Sequence, residues 1–80
     1  MNNIFITGAS SSIGREFLIK NNKKNILIIA QYNKSKDFLK FIKKNKFRSN
    51  IIPIQCNLNN KKQLDKCLNK FKKIDIETII

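Results

Sequence analysis

Residues Ile4-Phe5-Ile6-Thr7-Gly8-Ala9-Ser10-Ser11-Ser12-Ile13-Gly14-Arg15 constrain this chain more than any other stretch. A short apolar run ends at Thr-Gly, small residues follow, and a helical pattern begins at Ile13. The 80-residue chain has only two glycines, and both are here, six residues apart. An apolar run before a glycine and a helical pattern after it reads as strand, tight turn and helix. Such a turn leaves the helix N-terminus, with its unpaired N–H groups and partial positive charge, open to an anion. Small residues from Gly8 to Ser12 permit close backbone approach, and the three Ser hydroxyls add donors. Gly14 lets the helix pack close to the strand.

The rest of the chain repeats strand and helix. The first strand spans 3–6. Ile13 and Phe17, four apart and widened by Leu18, give the first helix its apolar stripe, and Glu16 is expected in its first turn. The helix stops at Asn21–Asn25, a polar stretch whose Asn residues are able to take the left-handed cap conformation. Residues 26–30, Ile-Leu-Ile-Ile-Ala, form the clearest strand, uniformly apolar as in a parallel sheet. Gln31–Ser35 reads as a loop, with Ser35 able to cap the next helix. Phe38, Phe41 and Ile42 carry that helix to about Lys46, with Lys36, Lys40, Lys43 and Lys44 on its opposite side. Ile51–Ile54 is a third strand, placed near an edge by Pro53, which has no N–H to donate. Leu64, Cys67, Leu68 and Phe71 mark a third helix, and Thr78–Ile80, just after Glu77, a fourth strand. The alternation β-α-β-α-β-α-β implies a parallel sheet with flanking helices, a Rossmann-like α/β architecture with the first strand central.

Charge and composition narrow the function classes. Seventeen basic residues against five acidic ones give a net charge of +12. Nucleic acid is not the expected partner, because base readout leans on Arg forks and only Arg15 and Arg48 are Arg. The basic second helix reads as the solvated outer face of a sheet-packing helix. Cys56 and Cys67, with no His in the chain, do not make a zinc site. Cys67, on a helical stripe with no base beside it, reads as a small core residue. No signal peptide or membrane-spanning run is present, and two reduced thiols suit a cytoplasmic setting.

The run Thr7-Gly8-Ala9-Ser10-Ser11-Ser12-Ile13-Gly14 resembles the Thr-Gly-x-x-x-Gly-Ile-Gly motif of classical short-chain dehydrogenases/reductases. The element order of all 80 residues resembles the N-terminal, cofactor-binding part of that family's single Rossmann domain. The resemblance implies an oxidoreductase that transfers hydride between NAD(P) and a carbonyl or alcohol substrate. It implies that Gly8, Ser10, Ser11, Ser12, Ile13 and Gly14 hold the diphosphate side of the cofactor. Tyr32 and Asn33, at the end of the second strand, fall where the family selects its cofactor. No acid stands at Tyr32, and Lys34 and Lys36 are close, which suits the 2′-phosphate of NADP; Lys34 is a point charge, so the preference is slight. Cys56-Asn57-Leu58 resembles the family's x-Asp-Val/Leu after the third strand, with Asn57 keeping a carbonyl acceptor for the adenine amino group.

Two departures stand out. Ser12 replaces the usual middle Gly, and its side chain either crowds the diphosphate or donates to it. The family's Asn-Asn-Ala-Gly, catalytic Ser and Tyr-x-x-x-Lys would all follow Ile80. The resemblance therefore implies that these residues supply binding surface and that the catalytic half lies elsewhere, with no activity expected of this stretch alone. It also leaves the substrate and the oligomeric state open, a homo-oligomer of the complete protein being one option. The alternative reading is a non-catalytic nucleotide-binding or interaction module.

Overall fold

The run Ile26–Ala30 offers no polar face, so it must be covered on both sides. In the computed structural model, which describes residues 2–76 and 78–80, it lies in β2 (Ile26–Tyr32), an inner strand. The sheet has four parallel strands in the order β3-β2-β1-β4, where β1 is Asn2–Ile6, β3 Asn50–Gln55 and β4 Thr78–Ile79. The connecting helices are α1 (Ser12–Lys20), α2 (Phe38–Asn45) and α3 (Lys61–Lys70). This is the Rossmann-like α/β fold that the alternation predicts. β1 is inner, and Pro53 sits on an edge strand, where its missing N–H costs no ladder bond. Glu77 lies outside the described residues.

Strand parity sorts the core into two layers. Ile6, Ile28 and Ala30 join Leu18 of α1 and Phe38 of α2 in one buried cluster. Phe5 and Ile29, one residue out of phase, join Cys67 of α3, with Cys56 and Phe71, in the other. Thus α1 and α2 cover one face and α3 the other. Cys67 is a buried core residue, and burial, followed by the neighbouring Cys56, pushes its thiol pKa up. That is the reverse of what a nucleophile needs.

The structure corrects several local expectations. β2 runs through Gln31 and Tyr32, because pairing with β3 continues at Gln31 with Ile54 and Tyr32 with Gln55. The buried residues of α1 are Gly14 and Leu18, with Phe17 packed beside them, whereas Ile13 is 84% exposed. Glu16 lies beyond the first turn and pairs with Lys20 at 3.3 Å. Asn21 ends α1 at φ −105°, outside the left-handed region, and its Nδ2 donates to the Phe17 carbonyl. Ser35 does not cap α2; its hydroxyl donates to the Asp37 carboxylate. No helix among the described residues is long and apolar enough to cross a membrane.

Among the described residues the one non-glycine in the left-handed region is Lys46, which ends α2 at φ 46°. The turn brings Phe47 back against Phe41, with ring centroids 5.9 Å apart. A side chain in this conformation costs about 1 kcal/mol relative to glycine. Lys46→Gly is therefore expected to stabilise the chain by roughly 0.5–1 kcal/mol, read as a higher urea midpoint at unchanged slope.

Candidate functional site

The strands end together at their carboxyl edge, where parallel α/β sheets bind ligands. An open cleft of about 520 Å³ lies there, lined by Thr7 to Ser11 except Ala9, by Gln31, Asn33 and Lys34, and by Asn57 to Asn59. Of the residues expected to bind a cofactor, Gly8, Ser10, Ser11, Asn33, Lys34, Asn57 and Leu58 line it. Ser12, Ile13, Gly14 and Tyr32 do not. Tyr32 follows strand parity to the α2 side, where its ring packs 5.0 Å from that of Phe38.

The two glycines serve different constraints. Gly8 takes φ +61°, a left-handed turn with open space around the missing Cβ. A Cβ on Gly14 would lie 2.6 Å from the Gly8 carbonyl oxygen and 2.7 Å from the Ala9 Cα. Here α1 rests directly on the backbone of the turn, and no side chain fits.

Ser11 is the N-cap of α1. Its hydroxyl accepts from the Gly14 N–H at 3.1 Å and donates to the Gly8 carbonyl at 2.8 Å. That hydroxyl is committed to the cap and is no longer a free donor. The Ser10 and Ser12 hydroxyls and the Ser10, Ser12 and Ile13 amides have no hydrogen-bond partner among the described residues. These five groups are what the turn offers an anion. Ser12 is exposed and stands outside the cleft lining, so its side chain does not narrow the cleft.

Asn57 is held by its surroundings. Its N–H donates to Gln63 Oε1 at 2.9 Å, its carbonyl accepts from Asn60 N–H, and its Oδ1 accepts from Asn59 N–H at 3.0 Å. The second lone pair of Oδ1 and the Nδ2 group remain for a ligand. Gln63 and Asn60 do this as parts of the α3 N-terminus, Asn60 being the N-cap that accepts from Gln63 N–H.

Sequence reading missed Gln31, Thr7 and Asn59. Gln31 is buried, its Oε1 accepts from Gly8 N–H at 2.8 Å, and its Nε2 donates to the Cys56 carbonyl at 2.6 Å. The available signal was parity: in a longer β2, residue 31 falls on the Ile29 side, between the exits of β1 and β3. Arg15 also finds a partner. Its guanidinium meets Asp37 at 3.0 Å and Ser35 Oγ at 3.2 Å, its Nε donates to the Ser10 carbonyl, and it stacks over Phe41 with 4.9 Å to the ring centroid. Arg15, a cation near the positive end of α1, is thus balanced by the protein's own carboxylate at Asp37. No group of three or more acidic, His or Cys side chains placed to hold a metal occurs among the described residues.

No protein-family model and no curated protein sequence matches the chain.

Two expected outcomes follow from this geometry. Gly14→Ala should cost about 3 kcal/mol, because backbone must move, whereas Gly8→Ala should cost about 1–2 kcal/mol, for conformation alone. Equal losses in urea denaturation would contradict the two assignments. The second concerns acid. The Ser35 hydroxyl, and next Arg15, hold the Asp37 carboxyl below its ordinary value of 3.8. The contribution of this depressed group is present above the unfolded value and is lost as pH falls through the folded one. The stability difference between wild type and Asp37→Asn should therefore shrink below about pH 4 in urea melts and stay constant above about pH 5.

Proposed function

We propose that the cleft binds the diphosphate and adenosine portion of a nicotinamide dinucleotide, as the cofactor-binding part of a short-chain oxidoreductase. One observation carries this reading. The cleft is lined by Ser10, whose amide is unpaired, together with Lys34 and Asn57, and the unpaired amides of Ser12 and Ile13 follow directly at the capped start of α1, at the carboxyl edge of a Rossmann-like sheet. The residues present fit such a ligand. The glycine turn admits close approach, the helix start favours a diphosphate, and Asn57 keeps hydrogen-bonding capacity for a base edge. Asn33 and Lys34 are exposed in the same lining, and Lys34 is the one cation there that a 2′-phosphate could meet. The bound dinucleotide would supply hydride chemistry; these residues bind and orient it.

A second reading, a nucleotide-binding module without chemistry of its own, has one observation in its favour. Lys34 is the single side chain with a titratable group among the cleft-lining residues. Neither reading gives turnover by this stretch alone, so the two are separated by the reading frame downstream of Ile80: Asn-Asn-Ala-Gly followed by Ser and Tyr-x-x-x-Lys there would exclude the module.

Fluorescence titration tests the shared part of both readings. NADPH should bind saturably in the range of about 1 μM to 1 mM usual for such sites. Lys34→Ala should weaken NADPH about threefold to tenfold and leave NADH unchanged, the loss of one exposed charge contact. Absence of saturable binding by NADPH, NADH and ADP would overturn the proposal.

A further inference from the structure

Gln31 is 3% exposed, and a buried primary amide has to satisfy both a donor and an acceptor. It does so by bridging two segments of backbone that carry opposite walls of the cleft. One is the glycine turn, through Gly8 N–H at 2.8 Å; the other is the exit of β3, through the Cys56 carbonyl at 2.6 Å. Its main-chain carbonyl adds a third tie, from Ala9 N–H at 2.8 Å. Among the described residues no other side chain bonds to both walls.

We propose that Gln31 is a positioning residue whose buried carboxamide fixes the spacing between the glycine turn and the Asn57–Asn59 loop, and so sets the cleft's affinity for a dinucleotide. This rests on the dinucleotide reading above. The chemistry required is specific: the position must accept from an N–H and donate to a C=O at once. Gln does both. An ionised Glu accepts from Gly8 but has no proton for Cys56; a protonated Glu has one. Met fills similar space and satisfies neither group.

The test combines NADPH titration with amide hydrogen exchange on wild type, Gln31→Met and Gln31→Glu. Gln31→Met should bind NADPH roughly tenfold more weakly, the equivalent of about one net hydrogen bond. Its Gly8 amide should exchange faster while β1 and β2 stay protected. Gln31→Glu should bind weakly at about pH 8 and approach wild type at about pH 5, where a buried carboxyl regains its proton. Lys34 in the cleft lining and the Cys56 and Cys67 thiols of the α3-side core are the charged and titratable groups around this position. Wild type measured at both pH values removes their contribution. Unchanged affinity in Gln31→Met with unchanged Gly8 exchange would overturn the proposal, as would a Gln31→Glu variant indifferent to pH. Should wild type not bind NADPH, the dinucleotide reading falls, and Gly8 exchange in Gln31→Met still decides whether Gln31 holds the turn.

Discussion

The contact between α1 and the backbone of the glycine turn governs the rest of the site. Because a Cβ on Gly14 would overlap Gly8 and Ala9, position 14 must face the turn. A helix has one phase, so Gly14 facing inward places Leu18, one turn later, in the core and sends Ile13 to solvent. The same phase brings Arg15 to the α2 side, where it reaches Ser10 and Asp37. One absent methyl group thus decides what is buried on α1, where its cation goes and which amides at its start remain unpaired.

Arg15 shows how a chain of net charge +12 uses its few acids. Asp37 stands at the N-cap of α2 but makes no side-chain cap bond. Its carboxylate is taken by Ser35 and Arg15 instead, and Arg15 also spreads over the Phe41 ring. The pair is exposed on the Asp37 side, so its direct electrostatic contribution is small. Its importance is geometric: the guanidinium ties the Ser10 carbonyl of the turn to the start of α2. The N-terminal ends of two helices are thereby fixed relative to each other by a single planar group, which a lysine would not reproduce.

The sheet was legible because burial on both faces leaves no polar alternation. Ile26–Ala30 allowed no other reading, and Pro53 marked the edge. The cleft walls were legible in part, since a glycine turn between strand and helix and a loop after the third strand must meet at the carboxyl edge. The phase of α1 was not. Ile13 and Phe17 have the same four-residue spacing as Gly14 and Leu18, and hydrophobicity alone favours the former. Only the steric demand at Gly14 separates them, and that demand exists between segments rather than within one. Gln31 was hidden for a related reason. A polar residue after an apolar run looks like the end of a strand, yet the backbone continues to pair with β3 and carries the side chain inside. Ser11 was recognised as a residue of the turn, but its hydroxyl is consumed by the cap it forms.

These details change how the cleft treats an anion. Side chains that line it are neutral hydrogen-bonding or apolar groups, with Lys34 as the lone charge. Gly8 N–H and the Ser11 hydroxyl are already engaged by Gln31 and by the cap. For a diphosphate bound as proposed, attraction would come from the unpaired Ser10, Ser12 and Ile13 amides and the helix start behind them, whose partial charge acts within a turn or so. Such a field is short-ranged and directional. It rewards an anion held at the right distance far more than one merely nearby, which is why the spacing of the walls matters more here than their charge. Ser12, in place of a glycine, sits outside the lining with its hydroxyl unpartnered. It therefore adds a donor at the helix start without narrowing the approach, and the substitution is compatible with the chemistry of the turn.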